Sequence, residues 1–258
     1  MRDIFRLDTG TGLPIVFLHG GFVDHEMWLD QIPVFASGHR VVAPDARGHG
    51  RSAVSAVPYR LADDVAALLR ELETGPAVLV GVSMGAATAV ETALEHPELV
   101  GGLVISGAGG TPPYFHDSWT LQAMAAWNAA MAAGDLEGSL EGFMAFVAGP
   151  YRSLDEVDPG VVRRVQEMGR KTMSRHSAGE PSLLRPVEDV WERAAGIAVP
   201  VLAVHGGIDS PDCIEMAERI VRSVRYGKAV TIDGAAHYPN MERPEVFNTM
   251  VEEFLRAL

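Results

Sequence analysis

Three residues far apart in this chain have the side chains needed for nucleophilic catalysis. Gly81-Val82-Ser83-Met84-Gly85 fits the pattern G-x-S-x-G, with an apolar run before it (AVLVGV) and a run of small residues after it (MGAATAVETAL). A serine on a tight turn between a buried strand and a helix projects its hydroxyl above the end of the sheet. Glycines on either side let neighbouring backbone approach closely. The plainer reading of Ser83 is a helix N-cap, for which the position is also suited. A hydroxyl is a poor nucleophile until a base takes its proton, and the base needs an acid to orient it.

Asp209, in VLAVHGGIDSP, follows one apolar run, and His237, in TIDGAAHYPN, follows the next. Singly, an aspartate after a strand is more often a turn or cap residue, and a loop histidine a surface residue. Together they come after Ser83 in the order nucleophile, acid, base, each just beyond a strand, where open α/β sheets gather their ligands. Two nearby carboxylates compete with Asp209 less well. Asp212 suits the cap of the following helix, and Asp233 sits in a turn at the end of its own strand. The stretch Ser106-Gly107-Ala108-Gly109 has no carboxylate to offer. Acyl transfer also needs donors for a developing oxyanion. Met84 supplies one amide at the start of a helix. Gly21 supplies the other from His19-Gly20-Gly21-Phe22, with Phe22 close behind.

A sheet has to carry these residues. Apolar runs at 13–18, 40–43, 77–82 and 99–105 indicate strands, and they recur at 199–204 and 228–232. Between them, Leu61, Val65, Leu68, Leu69 and Leu72 form a helical stripe. Helices also follow at 84–94, stopped by His96-Pro97, and at 213–224 and 244–258. Nearly continuous apolar strands alternating with helices predict an α/β fold, a mostly parallel sheet with helices on both faces. The rhythm stops between Gly109 and Gly196. Ala, Met, Glu and Arg there predict helices at 119–133, 137–147, 161–174 and 183–195, punctuated by Pro150, Pro159 and Pro181. The expected organisation is a core of residues 1–108 and 197–258 with an inserted helical subdomain at 109–196. At 258 residues the chain exceeds an average domain of about 150, and the insertion accounts for the surplus.

Composition narrows the partners. With 47% hydrophobic and 21% charged residues the balance is that of a globular protein. The net charge of -13 repels polyanions, which argues against nucleic acid. Runs such as PIVFL fall far short of the roughly 20 residues of a membrane helix, and MRDIFRLDTG has no apolar signal core. The single Cys213 can form no internal disulfide, and no CxxC spacing exists. A cytoplasmic protein acting on a small molecule, with no nucleic acid or membrane partner, is expected, and homo-oligomerisation is compatible with it.

The chain resembles the α/β-hydrolase superfamily over essentially its whole length. The resemblance rests on HGGFVDHEMW, VVAPDARGHGRS, GVSMGAA, VHGGIDSP and GAAHYPNMERPEVF, in that order along the sequence. The branch it is similar to contains enol-lactone hydrolases, non-haem haloperoxidases (perhydrolases) and small carboxylesterases. The resemblance implies an α/β-hydrolase fold in which Asp45, Arg47, His49 and Ser52 stabilise a loop and His96 and His205 are structural. Epoxide hydrolases and haloalkane dehalogenases carry aspartate where this chain has Ser83, which disfavours those activities. Only about a dozen residues precede the first strong strand, so one of the family's leading antiparallel strands is short or missing. The insertion becomes a cap, which would line a substrate pocket with Trp119, Met124, Trp127, Met131, Phe143, Met144 and Phe146, joined by Phe22 of the glycine loop, although most of the cap residues also suit the cap's own packing. The basic group Arg163, Arg164, Arg170, Lys171 and Arg175 would face solvent or, less simply, a substrate carboxylate. The implied activity is hydrolysis of an ester, lactone or thioester of a small, largely apolar substrate, through an acyl-enzyme on Ser83 with His237 and Asp209. Neither metal nor organic cofactor is required. The alternatives are C–C bond hydrolysis, cyclisation or lyase chemistry at the same site, or a ligand receptor with little turnover.

Overall fold

The computed structural model describes residues 4–73, 75–176 and 182–258. Pro181, one of the expected helix breaks, lies outside the described residues. A short strand β1 (Arg6–Thr9) is followed by β2 (Pro14–Leu18), the one-turn helix α1 (Ile32–Phe35), β3 (Arg40–Pro44) and α2 (Leu61–Leu72). Next come β4 (Ala77–Val82), α3 (Met84–Glu95) and β5 (Val100–Ser106). The chain then leaves the sheet for α4 (Ser118–Ala133), α5 (Leu136–Ala148), α6 (Pro159–Met173) and the one-turn α7 (Val190–Arg193). It returns through β6 (Val201–Gly206), α8 (Pro211–Ser223), β7 (Gly227–Ile232), the one-turn α9 (Pro239–Glu242) and a closing α10 (Pro244–Arg256).

The seven strands lie in the order β1-β3-β2-β4-β5-β6-β7. Only β1 runs antiparallel, against β3; each other neighbouring pair is parallel. This is the α/β-hydrolase arrangement, with the leading antiparallel part reduced to four residues. Successive side chains of a strand point to opposite faces, so Ile15 and Phe17 enter one core with Trp28, Phe35 and Phe247. Val16 and Leu18 enter the other with Leu68, Leu69 and Val90. The helical stripe of α2 meets this second core, and burying Leu68 and Leu69 there contributes about 1.5–3 kcal/mol each.

The three long inserted helices are each capped by an aspartate. Asp117, Asp135 and Asp158 accept hydrogen bonds from first-turn amides of α4, α5 and α6. The expected fourth helix at 183–195 does not form. Pro186 lacks an amide proton and favours an extended residue before it. The chain there instead exchanges hydrogen bonds with Tyr59: Tyr59 N–H to Leu183 O at 3.1 Å and Arg185 N–H to Tyr59 O at 2.8 Å. Helical structure resumes only at α7 and the turn Ala194–Gly196.

The basic group on α6 and just beyond it ties these helices to the loops beside the sheet. Arg164 pairs with Asp30 at 2.7 Å, Lys171 with Asp24 at 3.4 Å, and Arg175 donates to the carbonyls of Gly50 and Ser52. Arg170 pairs with Glu137 within the insertion, and Arg163 is exposed. No helix among the described residues is long and apolar enough to cross a membrane.

Candidate active site

Ser83 stands where β4 turns into α3, with φ 55° and ψ −118°. A non-glycine residue held at positive φ carries roughly 1–3 kcal/mol of strain, which surrounding structure must impose. The strain has identifiable sources. A β-carbon on Gly81 would run into the Gly85 carbonyl, and one on Gly85 into the Leu18 carbonyl, so helix and strands touch backbone to backbone. The Ser83 amide donates to the Ser106 carbonyl at 2.7 Å, fastening the turn to the end of β5. Ser83 occupies the N-cap position of α3, but its side chain makes no capping bond to the helix.

Asp209 and His237 emerge from the ends of adjacent strands, where Gly206 of β6 is in register with Ile232 of β7. His237 Nδ1 lies 3.0 Å from Asp209 Oδ2 and 3.3 Å from Oδ1. Asp209 Oδ1 also accepts from the Ser210 amide at 2.7 Å. Both side chains are almost wholly buried. A carboxylate can only accept, so the proton on this ring belongs to Nδ1, leaving Nε2 free to accept another. Burial works against the imidazolium, but the Asp209 carboxylate, with Cys213 beside the ring, outweighs it and raises the His237 pKa well above the usual histidine value.

The rival Asp212 has other work. Its carboxylate accepts from the amides of His116 and Asp117 and pairs with His116 Nδ1 at 2.8 Å, tying the approach to α4 onto α8.

Behind β2, His19 shapes the glycine loop. His19 Nε2 accepts from the Ala46 amide at 2.8 Å, so Nδ1 carries the proton and donates to the Gly20 carbonyl at 2.7 Å. Burial holds this ring neutral by lowering its pKa, which the accepting nitrogen requires. Phe22 follows at φ 63°, and a β-carbon on Gly21 would sit 3.9 Å from Met84 Cβ. The neighbouring loop is built as expected. Asp45 accepts from the amides of His25 and Arg51, Ser52 Oγ donates to the Asp45 carbonyl, and Arg47 forks onto Asp64. His49 Nδ1 meets the Arg47 carbonyl, His96 meets Asp63, and His205 meets Thr231.

A cavity of about 260 Å³ brings together Gly21, Phe22, Ser83, Met84, Trp127, Phe143 and His237. Phe22, Trp127 and Phe143 form its aromatic roof, with centroids 5.2–5.8 Å apart. Phe146, whose centroid is 6.2 Å from that of His237, and Met124 also line it. Three expected pocket residues lie elsewhere. Trp119 packs edge-on against Phe146 at 5.4 Å and does not line the cavity. Met131 lines a wider cleft of about 830 Å³ that shares Gly21, Phe22 and Met84 with the cavity, and Met144 faces a depression beside Glu137 and Arg170.

Gly107, Phe115, Cys213 and Tyr238 line the cavity without having been foreseen. Gly107 had a signal, since it follows β5 as Ser83 follows β4. For Cys213, the start of a helix after the Asp209 loop was the only hint. Two groups among the described residues bring metal-ligating atoms within 4.8 Å of one another: Asp209, Cys213 and His237, and Asp24, His25 and Asp45.

Residues 15–250 match the family described as the alpha/beta hydrolase family. The chain belongs to that family. This hydrolase is 29% identical, over 95% of its length and 96% of the relative's, to a pimeloyl-[acyl-carrier protein] methyl ester esterase of Aeromonas hydrophila. It is 27% identical to 3-oxoadipate enol-lactonase 1 of Acinetobacter baylyi, covering 95% of this chain and 89% of that one. Among solved structures it is similar to a thermophilic esterase from Thermogutta terrifontis, with a TM-score of 0.79 and 26% identity over 98% of this chain and 93% of that one.

Proposed function

We propose that this hydrolase cleaves the ester or lactone bond of a small, largely apolar substrate through an acyl-enzyme on Ser83. One observation carries the reading: Ser83, held at φ 55°, shares a mostly apolar cavity with His237, whose Nδ1 is hydrogen-bonded to Asp209 at 3.0 Å. In this mechanism Nε2 of His237 takes the Ser83 proton as Oγ attacks the carbonyl carbon, and Asp209 stabilises the imidazolium that forms. The oxyanion is held by the backbone amides of Met84, at the unsatisfied start of α3, and Gly21. His237 then gives its proton to the leaving oxygen, and water repeats the sequence to release the acid.

The insertion around α4–α6 acts as a cap in this reading. Phe22, Trp127 and Phe143 exclude water from the acyl group, and a volume of about 260 Å³ suits a short chain. A methyl ester esterase and an enol-lactonase among the relatives support this bond class. Net charge and the single buried thiol of Cys213 fit a cytoplasmic setting. The test is a series of p-nitrophenyl esters of increasing acyl length, with Ser83→Ala as the control. Turnover should be highest for short acyl groups and absent from the folded variant. Full turnover by Ser83→Ala would overturn the mechanism.

A further inference from the structure

We propose that Asp209, Cys213 and His237 form a zinc-binding site whose occupation switches this hydrolase off. The three residues come from different elements: the loop after β6, the first turn of α8 and the loop after β7. A thiol, an imidazole nitrogen and a carboxylate oxygen within 4.8 Å of one another are the ligand set zinc prefers. Tetrahedral zinc, with bonds of about 2.0–2.3 Å, needs its ligand atoms roughly 3.5 Å apart. Nδ1 and Oδ2 already stand 3.0 Å apart, so a small movement of the Cys213 side chain completes three corners. Cys213 and His237 both line the cavity, which gives an ion a route from solvent.

The second group, Asp24, His25 and Asp45, lacks these properties. It has no thiol, and its carboxylate oxygens are already taken by the amides of His25, Glu26 and Arg51, by His25 Nδ1 and by Lys171. Among the described residues Asp209, by contrast, has only the Ser210 amide and His237 itself.

Binding releases the Cys213 thiol proton to buffer and shifts the single His237 ring proton from Nδ1 to Nε2, so that the metal takes its place on Nδ1. No electron is transferred. A metal on Nδ1 leaves the remaining ring proton on Nε2, the nitrogen that must accept the Ser83 proton. The ring is thereby locked in the unproductive tautomer. Binding stands on the ligand set alone, whereas the loss of activity rests on the serine mechanism proposed above.

Cobalt(II) reports thiolate ligation optically. Titrating the metal-free protein with Co²⁺ should produce a near-ultraviolet sulfur-to-cobalt absorption that Zn²⁺ abolishes. Cys213→Ser and Cys213→Ala should both lack it. The zinc concentration that halves ester turnover, relative to each protein's own metal-free rate, should rise at least about tenfold in both variants. No absorption in the wild-type protein, or unchanged zinc sensitivity in both variants, would overturn the site. Absorption without loss of turnover would overturn its inhibitory role and the assignment of His237 as the base.

Discussion

Replacing Gly107 with alanine should disable the enzyme while leaving it folded. Gly107 sits at φ +66°, and a β-carbon there would lie 2.8 Å from His237 Cε1 and 3.0 Å from Nδ1. Ordinary carbon–carbon contact begins near 3.5 Å, so the ring must retreat by about 0.7 Å. It cannot do so and keep its 3.0 Å hydrogen bond to Asp209 unstrained. Displacements of about 1 Å in a reacting group cost on the order of 100-fold in rate. The left-handed backbone adds about 1–2 kcal/mol of destabilisation for a residue with a side chain, or roughly 2–8 °C in Tm for a chain of this size. The expected result is a kcat for p-nitrophenyl acetate lower by on the order of 100-fold, with KM within a few-fold and Tm lowered modestly. A folded Gly107→Ala protein with kcat within twofold of wild type would refute the geometry assigned to His237.

Other perturbations follow from the same contacts. Asp209→Asn presents an amide that can hold the wrong tautomer of His237, and kcat should fall on the order of 10⁴-fold with the fold intact by circular dichroism. Phe143→Ala removes a buried ring from the cavity roof, costing about 3–5 kcal/mol of stability; the ester series should then shift toward longer acyl groups. The His25–Asp45 pair sets a pH window for stability. Burial opposes both charges, yet each partner outweighs it, raising the His25 pKa and lowering that of Asp45. The His25 contribution is complete below its ordinary value near 6.5 and is lost as pH rises through its raised pKa; the Asp45 contribution is complete above 3.8 and is lost as pH falls through its lowered pKa. Thermal unfolding across pH should show a stability difference between wild type and His25→Phe that is greatest between those values, and a difference independent of pH would contradict the pairing.

Much of the fold was legible because its strands are buried on both faces and leave unbroken apolar runs such as PIVFL and AVLVGV. The turn at Ser83 was legible for a steric reason: only glycine fits at positions 81 and 85, where backbone meets backbone. The four-residue β1 was too short and too exposed to leave a pattern. The direction of each aromatic on the insertion was hidden, because α4 carries no charge and is apolar around its circumference. Trp119 and Trp127 therefore looked equivalent, although only Trp127 reaches the cavity. Helix formers dominate 183–195, but Pro186 and the bridge from Leu184 to Tyr59, remote in sequence, keep a helix from forming there. Cys213 beside His237 is a product of how α8 packs against the sheet, which no local spacing encodes.

Active-site labelling shows most plainly whether Ser83 is the nucleophile. A fluorophosphonate reacts with a serine only where a base and an oxyanion pocket activate it. Peptide mass spectrometry of the labelled wild-type protein should find one phosphonylated residue, Ser83, with hydrolysis lost in proportion to labelling. A protein that hydrolyses esters yet stays unlabelled at Ser83, or loses activity through labelling elsewhere, would rule out Ser83 as the nucleophile.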